Sequence, residues 1–437
     1  MSSLHRIRKT AKENRTLRFN NLLHHITPEL LKNAYDNLNK KAARGVDGET
    51  WQSYGQGLTD KLQNLHVKIH TGRYKPQPSK RIWLLKPDGR QRPIGIAVVE
   101  DKIVQQALVW VIQSIYEEDF LGFSYGFRPK RHPHKALDAL YVALTEKRVN
   151  WVIDADIKGF FDNIDHSWMM KFLEHRTSDK RILSLVEKML KAGVSDEGKW
   201  SASEMGSAQG SVLSPLLANI YLFYVLDLWI NKWRNQEARG EIYIVRYADD
   251  FVICCEYQHE ANRLLDKLNE RLKQFNLTLH EEKTRLLEFG KHAIKNRAKQ
   301  GKGKPETFTF LGFTHICSKL LSNGRYTVKR LTIARKQRAK LKQIKELLYK
   351  NRHINIVEQG KWLRSVVTGY ANYCGVPGNT KSLSNFRGQI CKLWMKALRR
   401  RSGKAQKLTW LKMKRITGFF LPTARLTHPY PNQRFYV

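Results

Sequence analysis

The residues best placed to do chemistry are two adjacent carboxylates, Asp249 and Asp250, in the middle of IYIVRYADDFVICC. Apolar, β-branched residues run into and out of the pair, and neither Gly nor Asn-Gly is present to ease a turn. Ionising two neighbouring carboxylates between buried strands is costly unless a cation stands beside them. A second acidic group lies upstream in VIDADIKGFFDNIDH. Alternation along a strand puts Asp154 and Asp156 on one face, with Ile153, Ala155 and Ile157 on the other. Asp165, just before His166-Ser167-Trp168, reads instead as a helix N-cap. Carboxylates from two strands can hold two hard cations roughly 3.5–4 Å apart, a clamp for in-line phosphoryl displacement that needs no nucleophilic side chain. A third element, Ala208-Gln209-Gly210-Ser211-Val212-Leu213-Ser214-Pro215, stands before a long apolar run. Gly210 permits close backbone approach, Pro215 suits a first helical turn, and Gln209 can touch a nucleotide or its paired base.

The elements that must position these groups follow from patterning. Residues 1 to about 75 read as basic helices broken at Gly45-Val46-Asp47-Gly48. Arg81 to Ile96 is a hairpin around Pro-Asp-Gly, with basic residues near its tip. Helical spacing covers Glu100 to Phe120, and SYGFRPKRHPH reads as a basic loop. Trp151 to Ile157 is a strand, Ser211 to Trp233 a long buried helix, and Ile242 to Cys255 two strands around a tight turn. Asn219 and Asp227 interrupt the apolar run of that helix, which argues against a membrane span. Leu264 to Phe275 is helical, Leu277 to Phe289 a loop and strand, and Lys291 to Lys304 a solvated basic loop. Beyond Leu320 the chain is mainly helical, over about 333–349, 357–373 and 383–399. The fold class is α+β, helices backing an antiparallel sheet, followed by a basic helical domain.

Composition points the same way. Lys and Arg number 78 against 39 Asp and Glu, a net +39 that a polyanion would relieve, and nucleic acid fits better than an anionic membrane. After Lys291 the acidic residues are Glu306, Glu346 and Glu358 only, among aromatics such as Trp362, Tyr370, Tyr373, Phe386, Trp394 and Trp410. Cations and flat rings together suit a nucleic-acid surface. Five cysteines without a C-x-x-C pair argue against a disulfide framework or a Cys-rich zinc site, and the N-terminus lacks the apolar core of a secretory signal. A reducing, cytoplasmic setting is expected.

Three boxes in this order, Asp156-Ile157-Lys158-Gly159-Phe160-Phe161-Asp162, Gln209-Gly210 and Tyr247-Ala248-Asp249-Asp250, resemble those of the reverse transcriptases encoded by bacterial group II introns, the intron maturases. SYGFRP upstream and FLGF downstream extend the resemblance over nearly the whole chain. It implies a right-hand polymerase: an N-terminal extension (1–75), fingers and palm (76–318), a helical thumb or X domain (319–401), and a short basic DNA-binding-like tail (402–437) without an H-N-H nuclease. It implies copying of RNA into cDNA with two Mg²⁺, or Mn²⁺ in their place, on Asp156, Asp249, Asp250 and Ile157, and a Lys283 that protonates pyrophosphate. Arg81, Lys86 and Arg92 would grip the dNTP triphosphate beside Gln209 and Gly210. Phe161, with Phe160 next to it, would exclude a 2′-hydroxyl, which disfavours RNA synthesis. Phe310, Leu311 and Gly312 match a primer grip, and Gly45 to Gly48 resembles a template-covering motif. Arg128, Lys130, Arg131, Arg335, Lys336, Arg338, Arg399, Arg400 and Arg401 would bind RNA. The implied partners are group II intron RNA, an RNA template with a DNA primer, target DNA and dNTPs, in a nucleoid-associated ribonucleoprotein. Membranes are not among them, and the sequence assigns no oligomeric state. A splicing chaperone with a vestigial centre, or a domesticated relative in defence or repair, is the alternative.

Overall fold

The computed structural model describes residues 3–85, 89, 91–196, 199–201, 205–320 and 323–434. Four helices open the chain: α1 (Ser3–Glu13), α2 (Pro28–Asn37), α3 (Trp51–Tyr54) and α4 (Leu58–His70). Thr27 caps α2 with Pro28 at its first position, and Thr50 and Ser53 form a reciprocal capping box on α3. The expected break at Gly45 to Gly48 is a turn with Gly48 at φ 73°. Gly45 packs so tightly on Val98 that a Cβ would lie 2.7 Å from its Cα.

The hairpin follows as β1 (Ser79–Leu85) and β2 (Gln91–Ile96), with Arg81 opposite Gly95 and Leu84 opposite Arg92. Lys86, Pro87 and Asp88 at its tip lie outside the described residues. Next come α5 (Val99–Asp119), α6 (Pro133–Glu146), β3 (Trp151–Asp156), α7 (His166–Glu174) and α8 (Lys180–Lys191). Asp165 caps α7 by accepting from Trp168 N at 2.9 Å, as its position before the helix suggested. Two short strands, β4 (Val194–Asp196) and β5 (Lys199–Ser201), extend the hairpin into a sheet of order β2-β1-β4-β5.

The long apolar helix runs as α9 (Ser214–Leu222), a π-helical stretch at Phe223–Asp227, and α10 (Leu228–Gln236). After it, β6 (Ile242–Tyr247) and β7 (Asp250–Cys255) make the tight hairpin, then come α11 (Gln258–Lys273) and β8 (Arg285–Glu288). The central sheet has order β6-β7-β3-β8 and is antiparallel throughout. Its side chains alternate between two cores. Ile153, Ala155, Ile244, Phe251 and Ile253 face the first core, with α5, α7, α9 and α11. Val152, Val245, Val252, Cys254 and Leu287 face the second, with α6 and residues of the next sheet. Because side chains alternate with a period of two, a one-residue slip of any strand would exchange the residues that face the two cores.

Residues 291–304, expected as a solvated loop, instead contain α12 (Ala293–Lys299), anchored by buried Ala293. Strands β9 (Phe308–Phe310), β10 (Phe313–Lys319) and β11 (Tyr326–Thr332) form a separate sheet of order β11-β10-β9. The β10–β11 register runs from Phe313–Thr332 to Lys319–Tyr326. The expected division at 318/319 therefore falls inside a hairpin, and the helical unit begins only after Thr332. That unit comprises α13 (Ala334–Lys350), α14 (Ile356–Cys374), α15 (Thr380–Arg399), α16 (Gly403–Gln406) and α17 (Trp410–Phe420), and α18 (Pro431–Arg434) follows. Its core centres on fully buried Trp394, whose Nε1 donates to Gln359 Oε1 at 2.8 Å. Met413 and Leu421 belong to this core, so residues 410–421 complete the bundle rather than extend from it. The tail then returns to α6, where Arg434 meets Asp138 at 2.6 Å.

All five cysteines are free thiols. Among the described residues no helix is long and apolar enough to cross a membrane.

Candidate active site

Strand pairing brings the carboxylates together. Asp156 ends β3 directly opposite Asp250, the first residue of β7, and Asp250 is also paired with Tyr247 across the β6–β7 hairpin. Ala248 and Asp249 are the two turn residues, Ala248 at φ 57°, a left-handed conformation that an L-residue rarely adopts. Asp154 lies on the same face as Asp156, buried, with Arg285 at 3.3 Å. Ile157 is a core side chain, so any ligand role for it rests on its backbone carbonyl.

Burial and mutual repulsion hold these acids away from the charged form. Asp250 is pushed up to about 7, chiefly by burial and then by Asp154, Asp156 and Asp249. Asp249 is raised by burial, with Asp156 adding to it. The Lys283 ammonium contacts Asp156 Oδ2 directly. Among the described residues no three acidic, His or Cys side chains form a ready-made metal cage. The donor set still fits a hard divalent cation: oxygen ligands only, adjacent across a ladder, carrying charge that burial leaves uncompensated.

The third box sits against the N-terminal hairpin. Gly95 N donates to Gln209 O at 2.7 Å, and Arg92 Nε donates to Gln209 Oε1 at 2.6 Å. Gly210, at φ 112°, approaches so closely that a Cβ would stand 2.6 Å from Gly95 O. The close approach foreseen for Gly210 is therefore made to β2. Arg81, Asp162, Gln209 and Ser211 line a cavity of about 300 Å³ here. Phe161 is half-buried, its carbonyl accepting from Ser207 N at 2.7 Å. Phe160, expected at the nucleotide, is 1% exposed and packs against Tyr221, which makes it core.

A second cavity, about 560 Å³, opens between Asp250, Leu311, Gly312, Lys336 and Tyr373. Leu311 and Gly312 turn with φ 47° and 84°, and Tyr373 Oη donates to Leu311 O at 2.8 Å. Phe310, expected with them, points into the second core at 1% exposure.

The expected RNA contacts divide. Lys130, Arg335, Lys336, Arg338 and Arg400 are exposed. Arg128 is not: it is buried, its Nη2 2.8 Å from Glu117 and its Nη1 donating to the carbonyls of Leu121 and Ser124, so it locks the loop after α5. Arg131 is half-buried, donating to Gly122 O and stacked over Tyr125. Arg399 donates to Leu408 O at 2.7 Å and Arg401 to Ile354 O, so both tie backbone within the helical unit.

Sequence reasoning missed a buried cluster behind the turn. Arg246, fully buried, donates from Nε to Asp227 Oδ1 at 2.7 Å, and from Nη1 to Asn219 Oδ1 and Ala248 O, both at 3.1 Å. The available signal was the polarity of Asn219 and Asp227 inside an apolar helix and of Arg246 inside an apolar strand.

Residues 84–315 match the family described as reverse transcriptase (RNA-dependent DNA polymerase), and the chain belongs to that family. Among the similar proteins is one encoded by a group II intron. The group II intron-encoded protein LtrA of Lactococcus lactis subsp. cremoris is 33% identical over 66% of this chain and 46% of its own length. Protein YkfC of Escherichia coli (strain K12) is 37% identical over 54% of this chain and 71% of its own. The match thus spans less than half of the intron-encoded protein. Enzymes of this family work with divalent metal ions.

Proposed function

We propose that the chain is the RNA-directed DNA polymerase of a group II intron, copying RNA into cDNA and binding intron RNA to assist splicing and mobility. The observation that carries this reading is the placement of Asp156 across the ladder from Asp250, with Asp249 in the adjoining turn.

In this reading the β1–β2 hairpin and the helices around α5 are the fingers, the central sheet with α7, α9 and α11 the palm, and α13 to α17 the thumb. Two divalent ions, Mg²⁺ or Mn²⁺ in its place, would supply Lewis-acid activation of a primer 3′-hydroxyl and charge stabilisation at the leaving pyrophosphate. The protein residues bind and orient. Asp156, Asp249 and Asp250 hold the cations, with the Ile157 carbonyl beside them. Arg81 and Arg92, with Lys86 at the hairpin tip, grip the triphosphate, and bidentate guanidinium suits that task. Gln209, fixed by Arg92, faces the incoming nucleotide over the cavity it lines. Phe161 lies under the sugar and excludes a 2′-hydroxyl. Lys283, in contact with Asp156, would protonate the leaving pyrophosphate. Leu311 and Gly312 hold the primer end next to Asp250. The exposed cations Arg335, Lys336, Arg338 and Arg400 contact template–primer or intron RNA, and target DNA is bound in the same ribonucleoprotein.

Primer extension on an RNA template, with dNTPs, tests the reading. Wild-type protein is expected to make cDNA, and Asp249→Ala with Asp250→Ala to make none. Synthesis surviving that double substitution, or incorporation of rNTPs in preference to dNTPs, would overturn it.

A further inference from the structure

The turn that carries Asp249 is built from residues ill suited to it. Ala248 holds φ 57° without being Gly or Asn, so the surroundings must impose the conformation. Two contacts do so. Gly126 presses against the peptide, where a Cβ would lie 2.4 Å from Ala248 N, and Arg246 Nη1 takes the Ala248 carbonyl at 3.1 Å.

Arg246 is in turn held from three sides. Its guanidinium is paired with Asp227 at 2.7 and 2.5 Å, and Asn219 Oδ1 accepts at 3.1 Å. Its backbone is fastened too, N donating to Phe123 O at 2.9 Å and O accepting from Tyr125 N at 2.8 Å. Asn219 Nδ2 closes the circuit on Gly126 O at 2.7 Å. An ordinary α-helix would carry two positions eight residues apart to faces about 80° apart. The π-helical stretch Phe223–Asp227, with its wider turn, brings Asp227 back toward the face of Asn219. A buried Arg–carboxylate pair adds little stability compared with apolar packing. What it does supply is a rigid planar fork with fixed directions.

We infer that Arg246, oriented by Asp227 and Asn219, is a positioning residue for nucleotidyl transfer. Acting through the Ala248 carbonyl, it sets where the Asp249 and Asp250 carboxylates stand relative to Asp156. The inference rests on the polymerase reading, and its test separates the two. Arg246→Lys keeps a charge for Asp227 but has no fork to reach Asn219 and Ala248 together. Asn219→Ala leaves the Arg246–Asp227 pair and removes the bridge to Gly126.

Each variant is measured as the full chain for melting temperature, template–primer affinity, Mn²⁺ binding by calorimetry, and single-nucleotide kcat and KM. Both are expected to fold and to bind template–primer within about twofold of wild type, with Mn²⁺ affinity reduced roughly fivefold or more. kcat should fall roughly 10- to 100-fold, the scale of a reacting group displaced by about 1 Å, while KM for dNTP changes little. A lowered melting temperature with unaltered Mn²⁺ affinity and kcat would overturn the inference, as would loss of the fold in both variants. Wild-type protein lacking all synthesis would instead overturn the polymerase reading.

Discussion

Replacing Asp250 with Asn should make the metal-free protein more stable while destroying its activity. Asp250 is raised from 3.8 to about 7 by burial and then by Asp154, Asp156 and Asp249. A carboxyl whose folded value lies above its unfolded value costs nothing below the unfolded value, progressively more between the two, and its full amount above the folded one. From 3.8 to about 7 the ceiling is roughly 4 kcal/mol. Asp250 is half-buried, so solvent screening reduces this, and about 2 kcal/mol is expected. Asn removes the charge and keeps the shape. In EDTA at pH 8, Asp250→Asn should melt about 2 °C above wild type, since a cooperative chain of this length shifts by about 1 °C per kcal/mol. At pH 5 the folded carboxyl is protonated but the unfolded one still ionises, so the gap should narrow to roughly two-fifths of its pH 8 size, closing only below the unfolded value of 3.8. Excess Mg²⁺ at pH 8 should raise the wild type and leave the variant nearly unmoved. Equal melting temperatures at pH 8, or the same gap at pH 5, would refute the account of a site that stores repulsion until cations bind.

Asp156→Ala is expected to abolish cDNA synthesis and leave RNA affinity within a few-fold, and a large loss of binding in a filter assay would contradict that division of labour. Splicing of the cognate intron should survive Asp249→Ala with Asp250→Ala, as measured by precursor RNA turnover. Phe161→Ala should admit ribonucleotides in primer extension, and unchanged sugar selection would move the gate to another residue, since the Phe160 ring is enclosed. RNA binding should weaken with a log–log salt slope of several units, and a flat response would remove the role given to the exposed cations.

The acidic part of the site was legible because alternation in a strand is strict. Asp154 and Asp156 could share a face only as they do, and the unbroken apolar flanks of Asp249-Asp250 left little but a hairpin. Single rings and guanidinia were harder to read. Phe160 and Phe310 sit in boxes whose neighbours face the cleft, but their own positions turn inward, which depends on tertiary packing. Arg128 reads as one more cation in a basic loop, and only the fold shows the carbonyls after α5 gathered around it. Strand β11, YTVKRLT, has β-branched alternation, although the region beyond Leu320 reads in sequence as mainly helical. Arg246 and Asp227 lie 19 residues apart, in a strand and a helix, and nothing local couples them.

The charge of the chain and the charge of the site make opposite demands, and distance reconciles them. A net +39 suits a long nucleic-acid surface, while under the proposed function the turn at Asp249 and Asp250 gathers cations. At physiological ionic strength exposed charges are largely screened beyond about 8 Å, so most cations of the helices after Thr332, Lys336 apart, do little to neutralise the aspartates. The cations that matter are the near ones. Lys283 contacts Asp156, Arg92 and Lys283 ease the ionisation of Asp249, and Lys336 does the same for Asp250. Each stands at the rim, where a phosphate can draw it away. Arg246 is different, because its charge is spent on Asp227 behind the turn. Positive charge in front of the carboxylates is thus exchangeable, positive charge behind them is fixed, and a site arranged in that way can release its own counter-ions to substrate without losing its shape.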